Sequence, residues 1–182
     1  AAIVLSHKKN DTGHNLRIQF LRDMETIDVY GKENYHQLTS YIGPVPGDNR
    51  YNVYSKYKYV LAVENNSEHN YATEKIWEAL VCECLPFYWG CPNLESYIDP
   101  KAFVRLPFED VDESMRIVEQ AVREDWWSQR IDAIRDAKKK IMNELGFFPT
   151  IKKIIEKRTL YIGGCVKNCG KYLNSVFQNI KK

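Results

Sequence analysis

Residues 65–75, "NNSEHNYATEK", crowd an amide (Asn65), a phenol (Tyr71), a hydroxyl (Thr73), a carboxylate (Glu74) and an ammonium (Lys75) into one short loop. The loop lies between the apolar run "KYKYVLAVEN" and the periodic segment "TEKIWEALVCEC". A strand that empties into a polar loop and then a helix start presents unpaired backbone N–H groups and the positive end of the helix dipole, which suits an anion such as phosphate. Lys75 adds a full positive charge. Glu74 can accept hydrogen bonds from vicinal hydroxyls such as those of a ribose, and Tyr71 offers a ring and a hydroxyl. These are the parts of a nucleotide-diphosphate clamp. Thr-Glu before an apolar run is also an ordinary helix start, with Thr73 as N-cap and Glu74 in a first turn that favours an acid, so these residues leave both readings open.

The elements that must position this loop follow from apolar periodicity. "AAIVL" reads as a short buried strand, "HNLRIQFLRDM" as a helix with Leu16, Phe20 and Leu21 on one side, and "TIDVYG" as a second strand closed by Gly31. "GPVPGDN" is a loop, and "KYKYVLAVEN" a third strand. After the "TEKIWEALVCEC" helix of about three turns, "LPFYWG" and "KAFVRL" read as strands separated by the turn "GCPN" and a helical piece "LESYID". From Pro107 to Lys182 the pattern is mostly helical. Strands alternating with helices predict an α/β fold with a Rossmann-like, doubly wound parallel sheet, whose ligands bind beyond the carboxyl ends of the strands. A chain of 182 residues with 44% apolar content is most simply one globular domain, residues 1–182.

Net charge is only +2, but from Lys138 onward eleven Lys or Arg face two Glu, which leaves the first 137 residues at −7. The basic end could touch phosphate or a membrane. "TIKKIIEKR" also reads as a helix with Ile151, Ile154 and Ile155 at core spacing and lysines in solvent. Near-neutral net charge without aromatic-basic interleaving argues against a nucleic-acid partner. The opening "AAIVLSHKKND" soon turns polar and no 18-residue apolar run occurs, so neither a membrane span nor a secretory signal is expected. Five cysteines form no zinc pattern; Cys82, Cys84 and Cys91 read as buried fillers, and Cys165 and Cys169 could bridge if oxidised.

The order of the whole stretch "ENNSEHNYATEKIWEAL...LPFYWGCPNLESYI" resembles the donor-binding signature of the α1,3-fucosyltransferases, glycosyltransferase family 10: Phe-Glu-Asn, a short loop, Tyr-x-Thr-Glu-Lys and a Pro-x-x-x-Gly turn. Here Val63 replaces the Phe. "IDVYGK" and "SKYKYVLAVEN" look like that family's flanking pieces, and the likeness runs from about Val4 to about Leu106. The resemblance implies the C-terminal, nucleotide-sugar half of a GT-B glycosyltransferase. It implies donor contacts from Arg17, Asn65, Tyr71, Glu74 and Lys75, with Thr73 of the same motif in the nucleotide-sugar-binding set. An arginine on an amphipathic helix such as Arg17 is by default a solvated surface residue.

By the same resemblance the donor is GDP-fucose, the reaction is inverting transfer to a glycan acceptor, no cofactor is required, and the general base belongs to an N-terminal acceptor-binding domain on this chain or another. A non-catalytic nucleotide-sugar-binding module or partner subunit is the rival. Asp110-Val111-Asp112 has the form of a metal motif, but Asp112 reads as the cap or first turn of a helix. His7, His14, His36 and His69 share no ligand or nucleophile pattern, and His69 reads as solvent-facing. Asn65-Asn66-Ser67 is a glycosylation sequon, and a glycan on Asn65 would occupy the proposed nucleotide site. A cytoplasmic location is therefore expected, or a Golgi lumen if a membrane-anchored parent was trimmed.

Overall fold

The computed structural model describes residues 1–161. The chain divides into two compact units, Ala1–Ile141 and a second that begins at Met142. In the first, six strands, β1 (Ala2–Val4), β2 (Asp28–Tyr30), β3 (Tyr41–Gly43), β4 (Tyr59–Val63), β5 (Leu85–Trp89) and β6 (Val104–Arg105), form one sheet in the order β3-β2-β1-β4-β5-β6. Every neighbouring pair is parallel. This is the doubly wound sheet expected from the alternation of strands and helices. Strand order reverses between β1 and β4, which sends the connections after these two strands in opposite directions and opens a crevice at their carboxyl ends.

The connecting helices are α1 (Thr12–Asp23), α2 (Tyr51–Tyr54), α3 (Glu74–Val81), α4 (Val111–Arg123) and α5 (Trp126–Lys140). All five residues of β4 are buried, as a central parallel strand requires. Tyr59 opens β4, stacks on Phe87 of β5 at 5.6 Å, donates its hydroxyl to the Ala121 carbonyl at 2.9 Å, and accepts the Trp127 N–H at 3.1 Å. One side chain thereby joins the sheet to α4 and α5. Phe20 of α1 meets Phe108 edge-on at 5.0 Å, closing the core beside the site.

Some elements differ from expectation. α3 stops at Val81, because Glu83 takes a left-handed backbone (φ 60) and the N–H groups of Glu83 and Cys84 return to the carbonyls of Leu80 and Ala79, both at 3.0 Å. That turn delivers Cys84 to the core and starts β5 at once, with Pro86 after the helix and inside the strand. "KAFVRL" holds only a two-residue strand, preceded by a 3-10 turn at Pro100–Ala102. β3 and α2 were not foreseen.

A π-helical turn at Ile141–Leu145 precedes α6 (Phe147–Tyr161). Lys153 donates to the Glu144 carbonyl and Lys152 pairs with Glu156. Ile154, expected on an apolar face, is 51% exposed. Cys165, Cys169 and the lysines from Lys167 on lie outside the described residues. No helix among the described residues is long and apolar enough to cross a membrane.

The start of α1 is set against the loop after β4. The Gly13 N–H donates to the Asn65 carbonyl at 2.8 Å, and a Cβ on Gly13 would lie 1.8 Å from the Glu64 carbonyl oxygen. Gly→Ala in an open helix gains about 1 kcal/mol. Here the clash is with backbone, so Gly13→Ala should instead cost about 3 kcal/mol or more, read as a lowered midpoint in urea unfolding.

Candidate functional site

β4 ends on Val63, and the next residue, Glu64, has a fully buried side chain. Its Oε1 accepts the Thr73 N–H at 2.7 Å, and its Oε2 accepts the Thr73 hydroxyl at 2.5 Å and lies 3.2 Å from Lys75 Nζ. A buried carboxylate is tolerated only when paired and hydrogen-bonded, and Glu64 is both. Space for it depends on Gly90 (φ 146), where a Cβ would fall 2.4 Å from Glu64 Cγ. Thr73 takes the extended backbone of an N-cap, but its side chain makes no capping bond. The hydroxyl is committed to Glu64, so the expected capping role gives way to a tie between strand end and helix start.

Around this tie lies a cavity of about 240 Å³ at the ends of β1 and β4. Leu5 and Ser6 line it after β1, Asn65 after β4, His14 and Arg17 from α1, and Glu74 and Lys75 from α3. Four of the six site residues expected from sequence therefore converge. Tyr71 and Thr73 are not among its lining. Tyr71 is half-buried in the adjoining loop, its N–H on the Glu68 carbonyl. That loop is fastened to the turn after β5: Ser67 donates to the Gly90 carbonyl at 2.9 Å, and Asn70 exchanges hydrogen bonds with Asn93 at 2.9 and 2.8 Å. His69 is exposed, as expected.

Arg17 is 5% exposed, not a solvated surface residue. Its Nη1 donates to the Val63 carbonyl at 2.9 Å, while its buried Nε has no hydrogen-bond partner among the described residues. Burial lowers its pKa to about 10, against the opposing pull of Glu64, so the guanidinium stays charged at neutral pH. Lys75 is 20% exposed and also lies 3.4 Å from Glu74 Oε1. Burial raises the Glu74 pKa, but Lys75 and the remaining hydrogen bonds and charges outweigh it and hold the carboxyl below its usual value.

Two residues were not assigned to the donor site from sequence: His14, which lines the cavity, and Glu64, which ties the strand end to the helix start beside it. In the sequence Glu64 reads as the polar end of a strand. His14 is 2% exposed and its Nδ1 accepts the Asp11 N–H at 3.2 Å, which puts the proton of the neutral ring on Nε2. Burial first, then Arg17, pushes its pKa down. The signal available was spacing: His14 and Arg17 are three apart, on one side of a helix. Asp110 is the N-cap of α4, accepting the Glu113 N–H at 3.0 Å, and Asp112 lies in the first turn. Among the described residues no group of three or more His, Cys, Asp or Glu is disposed to hold a metal ion.

A six-stranded parallel sheet with a cation-lined cavity at its strand-order reversal places the chain in the class of Rossmann-like α/β domains that bind ligands at the switch point. The family is glycosyltransferase family 10 (fucosyltransferase), C-terminal domain: that family's model matches residues 1–127, and the chain belongs to it. An alpha-(1,3)-fucosyltransferase of Helicobacter pylori is 39% identical over 62 residues, 34% of this chain and 13% of that protein. The 3-galactosyl-N-acetylglucosaminide 4-alpha-L-fucosyltransferase of Homo sapiens is 31% identical over 108 residues, 58% of this chain and 28% of that one.

Among solved structures, an alpha1,3-fucosyltransferase with GDP-fucose has a TM-score of 0.58 at 24% identity, over 71% of this chain and 37% of its own. Sucrose-phosphate synthase from Thermosynechococcus elongatus has a TM-score of 0.61 at 10% identity, over 90% of this chain and 46% of its own. These two share the GT-B type fold. The chain spans less than half the length of each of these four proteins.

Two outcomes test the site's construction. Glu64→Ala should cost about 3–5 kcal/mol in denaturant unfolding, because it removes the buried partner of Lys75 and leaves both Thr73 donors without their acceptor. The fold disfavours protonated His14, so the folded state binds fewer protons than the unfolded chain, and stability falls as pH drops below about 6.5. His14→Gln should flatten that decline in thermal melts taken between about pH 7 and 5.

Proposed function

We propose that this chain is the donor-binding half of an inverting fucosyltransferase, with the diphosphate of GDP-fucose in the cavity between Ser6, Arg17 and Lys75. The observation that carries the proposal is the convergence of a buried arginine and a half-buried lysine on a cavity at the switch point of the sheet. Sugar transfer needs positive charge where the diphosphate departs, and fixed cations in a partly dry site supply it without reorganisation. Arg17 and Lys75 hold that place, Asn65 adds hydrogen-bonding groups, and Glu74 accepts from donor hydroxyls. The proposed transfer uses GDP-fucose as donor substrate and no cofactor.

The same geometry separates binding from proton transfer. Glu64 is fully buried and committed to Thr73 and Lys75, and Glu74 is assigned to the donor hydroxyls. In this reading the base that takes the acceptor proton is supplied by an acceptor-binding domain, on the same polypeptide or another, which also holds the glycan. A cytoplasmic location is part of this reading, and it is supported by Asn65: the residue lines the cavity, so a glycan there would fill the proposed donor site. Native protein carrying an occupied Asn65 together with transferase activity would contradict that assignment.

Calorimetry with GDP, UDP and CMP tests the donor proposal. GDP should bind best, and Lys75→Ala should weaken it by about 1.5–3 kcal/mol. Equal or absent binding of all three to folded protein overturns the proposal. In a radiolabelled GDP-fucose assay the isolated chain should transfer at least about 10²- to 10⁴-fold more slowly than the chain supplied with its acceptor domain, the usual loss when a positioned base is missing.

A further inference from the structure

We infer that Arg50 is a further donor-binding residue: a second guanidinium for the diphosphate, held between two carboxylates of α3 until the nucleotide arrives. The inference rests on the donor-site reading above. Arg50 lies outside the signature, in the segment joining β3 to β4, immediately before α2. The fold brings its Nη1 to 3.0 Å from Glu78 Oε2 and 3.4 Å from Glu74 Oε1. Glu74 and Glu78 are four residues apart, on one side of α3.

Position and exposure favour a ligand role. Arg50 lines the 240 Å³ cavity together with Arg17 and Lys75, and it also lines an adjoining cleft of about 670 Å³ that includes Gly31, Tyr35 and Asp48. It stands where the two spaces meet, on the path of a molecule longer than a phosphate. Its side chain is 36% exposed, so the guanidinium is reachable from the cleft. Both carboxylate contacts use Nη1, which leaves the N–H donors of Nη2 and Nε for another acceptor.

Charge sharing at Glu74 supplies the exchange. Glu74 lies 3.4 Å from both Lys75 and Arg50, while each cation has a closer second partner, Glu64 at 3.2 Å and Glu78 at 3.0 Å. Part-exposed pairs of this kind are weak, so giving up the Glu74 contacts costs little. A diphosphate entering beside Arg17 carries more charge than one carboxylate and replaces Glu74 as the counter-ion of both cations. Glu74 is then free to accept from donor hydroxyls.

The competing explanation is a structural tie between the α2 segment and α3. It is separable, because Glu78→Gln breaks the same ion pair while keeping the cation. Calorimetry with GDP on wild type, Arg50→Gln, Arg50→Lys and Glu78→Gln, alongside thermal melts, decides between them. Expected are similar small shifts in melting temperature for Arg50→Gln and Glu78→Gln. GDP should bind about tenfold or more weakly to Arg50→Gln, the loss of one charge-assisted contact, with part of that recovered in Arg50→Lys. Affinity should be unchanged or tighter in Glu78→Gln. Equal weakening in Arg50→Gln and Glu78→Gln, or wild-type affinity in Arg50→Gln, overturns the assignment of Arg50 and leaves the donor site standing. Wild-type protein that binds no GDP removes the donor site and Arg50 with it.

Discussion

The buried carboxylate of Glu64 is the constraint on which the site depends. It follows the central strand, accepts both Thr73 donors and faces Lys75 Nζ, so the end of β4 and the start of α3 are held as one piece. A buried charge of this kind is expensive unless every oxygen is used, and the surrounding sequence is shaped to that need. Gly90 clears its methylenes and Gly13 lets α1 approach its carbonyl. The approach of α1 in turn carries His14 and Arg17 to the same cavity. Fold and site are thus connected through one residue that need never touch a ligand.

Charge around the cavity is unevenly matched. Lys8, Arg17, Arg50 and Lys75 line it, with Glu74 as the acid among them, although the protein as a whole carries a net charge of only +2. Local concentration of one sign in a cleft with low-dielectric walls raises its potential well above what net charge suggests. Burying Arg17 without a partner for its Nε disfavours the protein by about 1–3 kcal/mol, a cost of the kind that functional sites commonly carry.

What the sequence revealed, and what it concealed, follows the range of the interactions involved. β4 was legible because "YVLAV" is one apolar run, and Asn65, Glu74 and Lys75 because they sit beside the strand-to-helix junction that the run implies. Arg17 was ambiguous: periodicity shows which residues share a helix side, but its hydrogen-bond partner is the carbonyl of Val63, remote in sequence. Glu64 was hidden by its place at the end of a strand, where a polar residue reads as punctuation. The Thr73 hydroxyl was assigned to a helix cap because local capping is the common case, whereas a buried carboxylate outcompetes it. β3, three residues with none fully buried, carries too little pattern to be seen, and the left-handed turn at Glu83 that shortens α3 has no glycine to announce it.

The central claim is that a cavity organised by Glu64 receives the diphosphate of the donor. A crystal structure of the protein with GDP tests it most directly. Phosphate oxygens are expected within hydrogen-bonding distance of Arg17 and Lys75 Nζ, at the ends of β1 and β4, with Glu64 still bound to the Thr73 N–H and hydroxyl. GDP bound elsewhere on the protein, or seated in the cavity with Glu64 withdrawn from Thr73, would contradict it.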